Sequence, residues 1–209
     1  MKVLVACEFS GIVRDAFRAR GHDAFSVDII PCEKGPDFHY ERRIEDILEQ
    51  GFKWDLMIAH PPCTYLTVAA NKWMKPEYAD RFPFRMSHRI EAIKFFMRLV
   101  NADIKRICIE NPVGIISTAY RKPDQIIQPY QFGHPDRKKT CFWLKGLPPL
   151  KSTKIVAPNI KKNRNGKTAS VHHDAALRLP ANQRWKARSR TYQGIANAMA
   201  EQWGGPDEQ

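Results

Sequence analysis

The chain has 209 residues, 43% of them hydrophobic, with 34 Lys and Arg against 22 Asp and Glu and a formal net charge of +12. This length and apolar content suit one packed domain and exclude a disordered or fibrous chain, and no apolar run is long enough for a membrane span. The positive excess favours an anionic partner, of which a polyphosphate is the commonest. Residues 2–7 (KVLVAC) are a short β-branched run and predict a buried strand. Ser10 can cap the helix that follows, with Ile12, Val13, Ala16 and Phe17 at helical spacing and Gly21 as its stop. Residues 24–29 predict a second strand ending near Asp28, 41–50 a short helix, and 55–59 a third strand. Residues 85–101 carry Ile90, Ile93, Phe96, Met97 and Val100 on one helical face, and 106–111 (RICIEN) predict the next strand. Residues 138–144 predict a late strand, antiparallel or at an edge.

Strands alternating with helices predict an α/β fold, a mostly parallel sheet with helices on both faces. Between 151 and 190 the texture changes to eleven Lys and Arg against one acid, Asp174, with few large apolar residues. Such a stretch cannot build its own core and is expected to be a loop-like insert or a minimal lobe. The expected organisation is a catalytic and cofactor-binding core over 1–150, a short basic insert over 151–188 and a C-terminal helix returning to the core over 189–209. Five scattered cysteines, with no CxxC pair and no zinc-ligand spacing, fit free thiols in a reducing compartment and predict no metal. The N-terminal apolar run is too short for a signal peptide, so a soluble cytoplasmic protein is expected.

In an open α/β sheet ligands bind beyond the carboxyl ends of the strands. Those ends in this chain are 7–11 (CEFSG), Asp28, 60–63 (HPPC) and 110–112 (ENP). Asp28 can accept from ribose hydroxyls. Glu110 ends an apolar strand, so desolvation is expected to raise its pKa and let it donate a proton near neutrality. Cys63 follows two prolines that stiffen its mount, and His60, Arg137 and Lys138 are candidate sources of the positive charge a thiolate needs. Alone, a cysteine at a strand end reads as a buried hydrophobe.

In combination, PPC-x-x-L-T at one strand end and ENP at the next closely resemble the catalytic motifs of DNA cytosine-5 methyltransferases. The resemblance runs on in the family's order: EFSGIV at 8–13, Asp28, EDIL at 45–48, FGHPDRKKT at 132–140 and RTYQGIANAM at 190–199. Val13 stands where the family has a second glycine, Pro112 where it has valine, and 136–138 do not repeat its basic triplet. The resemblance implies a Rossmann-like S-adenosylmethionine-dependent methyltransferase fold. It assigns catalysis to Cys63 and Glu110. Cofactor contacts fall to Phe9, Ser10, Gly11, Asp28, Asp46, Ile47, Pro61 and Asn197, and substrate contacts to Pro62, Asn111, Arg137, Lys138 and Thr140.

The implied reaction is S-adenosylmethionine-dependent methylation of cytosine C5 in DNA, through a covalent bond between Cys63 and C6 of a cytosine flipped out of the duplex. Since the basic insert stands where the family has a recognition domain, short or relaxed sequence specificity is expected. A compact monomer of a phage or bacterial cell suits this reading. Cytosine in RNA, a free cytosine nucleotide, or non-catalytic nucleic-acid binding remain the alternatives.

Overall fold

The structure is a computed structural model and describes residues 1–162, 168–170 and 178–205. The apolar runs become strands β1 (Lys2–Ala6), β2 (Asp23–Asp28), β4 (Leu56–Ala59), β5 (Arg106–Pro112) and β7 (Thr140–Lys145), with short strands β3 (His39–Glu41) and β6 (Gln125–Ile127). Among the described residues these seven form one sheet in the order β3-β2-β1-β4-β5-β7-β6. Strands β3 to β5 are parallel, and β7 runs antiparallel to both β5 and β6. The helices are α1 (Ile12–Arg18), α2 (Ile44–Glu49), α3 (Arg85–Val100), α4 (Ile116–Ala119), α5 (Ala181–Ser189) and α6 (Gln193–Gln202).

The period-2 alternation of side chains sorts each central strand between two cores. Val3, Val5, Leu56, Ile58, Cys108 and Phe142 pack with α1 (Val13, Phe17) and α6 (Ile195, Met199). Leu4, Ala6, Met57, Ala59, Ile107, Ile109 and Trp143 pack on the other side with α2 (Ile44, Ile47) and α3 (Phe96, Leu99). The fold is therefore doubly wound, as the alternation of elements predicts. Trp203, fully buried at the end of α6, locks that helix down by donating its indole N–H to the Pro148 carbonyl at 2.9 Å. An aromatic of this size supplies much of a local core's stability, ~3–5 kcal/mol on truncation.

Several expectations change. Strand β7 is antiparallel, as one alternative had it, but it lies inside the sheet, and β6 takes the edge. Ile90 is 47% exposed, and the inner face of α3 is set by Arg89, Phe96 and Leu99. Ser10 is not the N-cap of α1. Gly11 holds that place in the left-handed region at φ 68°, where a side chain would be strained, while Ser10 Oγ accepts from the Ile12 N–H at 3.3 Å. The described residues of the basic stretch contain α5 and an antiparallel strand pair, β8 (Ile160–Lys162) with β9 (Thr168–Ser170). Residues 163–167, 171–177 and 206–209 lie outside the described residues, so the proposed insert and C-terminal segment are only partly described.

Candidate active site

Strand β1 sits between β2 and β4: the chain leaves β1 for β2 and β3 on one side and returns through α2 to β4 on the other, and a crevice opens where the strand order reverses. The carboxyl ends of β1, β2, β4 and β5 all face this edge. A small cleft of about 260 Å³, counted with its open mouth, lies there. His60 and Glu110 line it from the sheet, Lys138, Thr140 and Phe142 from β7 and its approach, and Thr191, Tyr192, Ile195 and Met199 from α6 and the turn before it.

The loop carrying Cys63 is sewn to the end of β5. Asn111, buried, donates from Nδ2 to the Pro61 carbonyl at 2.9 Å. Val68 N–H donates to the Val113 carbonyl and Ile115 N–H to the Leu66 carbonyl, and Thr67 bridges to Gly114. A β-carbon on Gly114 would stand 1.8 Å from the Leu66 carbonyl oxygen, so only glycine permits this approach. From below, the buried Arg89 donates to the Tyr65 carbonyl at 2.9 Å and to Asn71 Oδ1 at 2.8 Å. The aromatics of the following loop pack among themselves, Trp73 against Tyr78 at 5.1 Å and Phe82 at 5.5 Å. These ties add to the constraint that two consecutive prolines place on the turn.

His60 Nδ1 stands 3.1 Å from Glu110 Oε2, with side chains only 8% and 17% exposed. This pairing reverses one expectation. Burial does push the Glu110 carboxyl up, but the His60 hydrogen bond and the Lys138 charge outweigh it, and the net pKa is lowered. Cys63 is half-buried, and its thiol is pushed up by burial first and by the Glu110 charge second, against the pull of Lys138 and Arg188. Of the expected cations, Lys138 acts on Cys63. Arg137 is exposed on the loop before β7, and His60 is engaged with Glu110. Arg188, on α5, was not singled out in the sequence because the basic stretch offered many equivalent cations.

On the cofactor side the expected residues divide. Phe9, Ser10 and Gly11 form the β1–α1 turn, and Asp28 ends β2 half-buried, its carboxylate accepting from the Ile30 N–H at 3.3 Å. Burial raises the Asp28 pKa. Pro61 is buried and Pro62 exposed, while Thr140, buried, donates to the Lys138 carbonyl at 3.2 Å. Ile47 is fully buried in the core beneath α2 and Asp46 is exposed. The acid of α2 whose charge reaches the β1 end is Glu45, which with Asp28 helps burial hold the Cys7 thiol far up. Asn197 is exposed on α6 and accepts from Gln193, away from the face of Tyr192, Ile195 and Met199 that lines the cleft.

Two further features escaped the sequence reading. Glu8 is 4% exposed, and its carboxylate accepts from the Val13 N–H at 2.6 Å and the Arg14 N–H at 3.2 Å, occupying the start of α1. Burial raises its pKa, opposed by His60 and these N–H groups. An acid directly after a buried strand was the available signal. Trp185 of α5 packs on Phe9 at 5.4 Å, and Arg190 forms a two-pronged ion pair with Glu33 at 2.8 Å, strapping the basic segment across the crevice.

Among the described residues no cluster of three His, Cys, Asp or Glu side chains could hold a metal ion, and no helix is long and apolar enough to cross a membrane. The chain matches no protein-family model and no curated protein. Among solved structures it is similar to a prophage-encoded E. coli protein, provisionally assigned as a DNA modification methyltransferase. The identity is 17% and the TM-score 0.41, with 87% of this chain and 56% of that one covered, so the chain spans little more than half that structure's length.

Proposed function

We propose that the protein methylates C5 of cytosine in DNA, using S-adenosylmethionine and a covalent Cys63–C6 adduct, with short or relaxed sequence specificity. The observation that carries this reading is the tie between the Cys63 loop and the Glu110 strand end. Asn111, next to Glu110 at the end of β5, holds the Pro61 carbonyl two residues before Cys63, and the Glu110 charge acts on the Cys63 thiol.

The residues at the β1 turn fit the cofactor. Glu8 already occupies the first free N–H groups of α1, which disfavours a phosphate there. A phosphate-free, positively charged group beside that carboxylate is complementary. Asp28 would hold the ribose, with Phe9, Ser10 and Gly11 forming the floor. S-adenosylmethionine supplies an electrophilic methyl group.

The chain's own residues supply the rest. Cytosine C5 is a poor nucleophile until a thiolate adds to C6, which moves the ring's electron pair towards C5 and N3. Glu110, reaching N3, gives that electron density a proton. Glu110, a carboxylate at rest, can take the proton that Cys63 gives up before passing it to N3, and while it is neutral the charge opposing the thiolate is gone and Lys138 and Arg188 stabilise it. In a duplex the base must leave the stack to reach this cleft. The cations of the basic segment, Arg184, Lys186 and Arg188 among them, supply phosphate contacts and a salt-sensitive affinity.

Labelled methyl transfer to duplex DNA, RNA and dCMP tests the proposal. The expected result is label on C5 of DNA cytosine, falling at least 10³-fold in Cys63→Ser, roughly the loss of a covalent or proton-transfer step. Transfer only to RNA or dCMP would move the substrate, and transfer undiminished in Cys63→Ser would discard the covalent route. Sequencing of products showing five or more specified bases would overturn the relaxed specificity.

A further inference from the structure

The segment that follows Cys63 gathers cations that no carboxylate of the described residues neutralises. Arg85, the first residue of α3, holds its guanidinium carbon 5.3 Å from the Tyr65 ring centre, 5.6 Å from that of Phe82 and 6.0 Å from that of Trp73. Lys72 lies over Trp73 at 4.7 Å and Arg81 over Phe82 at 5.3 Å. One turn further along α3, the buried Arg89 donates to the Tyr65 carbonyl and to Asn71. Among the described residues none of Lys72, Lys75, Arg81, Arg85 and Arg89 forms an ion pair, and the two acids of the segment, Glu77 and Asp80, point to solvent as exposed residues.

Two neighbouring arginines without an acid are costly. Burial first and the Arg85 charge second push the Arg89 pKa down, so each guanidinium disfavours the other. Arg85 Nε is also buried with no hydrogen-bond partner among the described residues. The aromatic faces offset part of this cost, because a ring face attracts a cation. They do not accept from the guanidinium N–H groups as an anion with several oxygens does. Arg89 is committed to Tyr65 and Asn71, which leaves Arg85 to meet such an anion.

We propose that this cluster binds a phosphate of the DNA backbone beside the nucleotide delivered to Cys63, with Arg85 as its principal contact. This rests on the reading of DNA as the substrate. The location suits it: the chain passes from the carboxyl end of β4 into α3, so the head of α3 stands on the crevice side of the sheet. Tyr65, whose ring meets Arg85 and whose carbonyl meets Arg89, is two residues beyond Cys63. Phe84 and Met86, 69% and 52% exposed, flank Arg85 in the chain and offer apolar surface to sugar and base faces, which a free inorganic anion would not use. Helix α5 rests on Phe9 at the end of β1, whereas this cluster lies beyond the end of β4. The two basic elements can therefore take phosphates on either side of one target nucleotide, which selects a polymer over a free nucleotide with its single phosphate.

Binding of the full chain to a duplex of alternating dA and dT, which offers no cytosine, tests the site apart from the chemistry. Fluorescence anisotropy from about 50 to 200 mM salt should show Arg85→Met, which keeps an unbranched side chain against the rings, binding about 5- to 10-fold more weakly. Its slope of log affinity against log salt should be smaller by about one, and Arg85→Lys should keep the wild-type slope. Phe84→Asp changes an exposed side chain outside the core and should weaken binding by a similar factor, which decides the case if Arg85→Met lowers the unfolding midpoint. With a cytosine-containing duplex, Arg85→Met should raise KM for DNA by the same factor with kcat little changed. A folded Arg85→Met with the wild-type slope, or a Phe84→Asp variant that binds as the wild type does, would overturn the proposal. RNA binding with this Arg85 dependence and no DNA binding would overturn DNA as the occupant. A wild type that binds duplex through Arg85 but transfers methyl to no cytosine would overturn the functional reading and leave the phosphate site standing.

Discussion

Asn111 donates its side-chain N–H to the Pro61 carbonyl across 2.9 Å in fully buried surroundings, joining the end of β5 to the turn that carries Cys63. Removing it leaves a buried carbonyl without its donor. Asn111→Ala should cost ~1–3 kcal/mol in chemical denaturation. It should also slow methyl transfer more than that loss of folded protein explains, since the Cys63 turn loses its anchor. Equal loss in both measurements would mean that the tie serves stability alone.

Gly114 lies under the same turn from the other side. A β-carbon there meets the Leu66 carbonyl oxygen at 1.8 Å and Thr67 Cα at 3.0 Å, and both are backbone atoms that cannot swing away. Gly114→Ala should displace residues 65–68 and cost ~1–3 kcal/mol or more, read as a lower midpoint in thermal or urea unfolding.

Titration of Cys63 checks the electrostatics without any substrate. Its thiol is held up by burial and by the Glu110 charge, so alkylation at neutral pH should be slower than that of free cysteine. Glu110→Gln removes an opposing charge and should speed alkylation, and Lys138→Ala should slow it. Mass spectrometry of the Cys63 peptide after timed iodoacetamide exposure reads all three.

How much of this arrangement was legible beforehand follows from what is local. Strands β1, β4 and β5 read clearly because burial on both faces demands unbroken apolar runs. The place of β7 inside the sheet did not, since pairing with β5 and β6 is decided by partners distant in the chain. The burial of Ile47 and the exposure of Asn197 were not legible, because a motif fixes a residue's number and not its rotation about a helix. The Glu110 shift ran opposite to expectation for a similar reason, because its burial was readable but its partner stands 50 residues earlier at His60. Helix α5 hid in a basic stretch where Trp185 is the one large aromatic of the helix and packs on Phe9 from the far end of the chain.

The strap across the crevice should respond to acid. The Arg190 hydrogen bond is the main cause holding the Glu33 carboxyl below its ordinary range. The pair's contribution is thus full above the unfolded carboxylate value, near 4.3, and fades as pH falls through the depressed folded one. Both side chains are partly exposed, so ~1 kcal/mol or less is at stake. Arg190→Ala should raise hydrogen exchange over residues 181–189 at neutral pH, leave the central strands unchanged, and remove the acid dependence.

Covalent trapping tests the central claim most directly. Duplex DNA carrying 5-fluorocytosine cannot lose the C5 substituent as a proton, so the adduct should persist in the presence of S-adenosylmethionine. Intact-mass and peptide spectra of the wild type should place the DNA on Cys63, and Cys63→Ser should form none. A wild type that binds this DNA and methylates ordinary duplex cytosine but forms no adduct, or an adduct on another residue, would contradict the account.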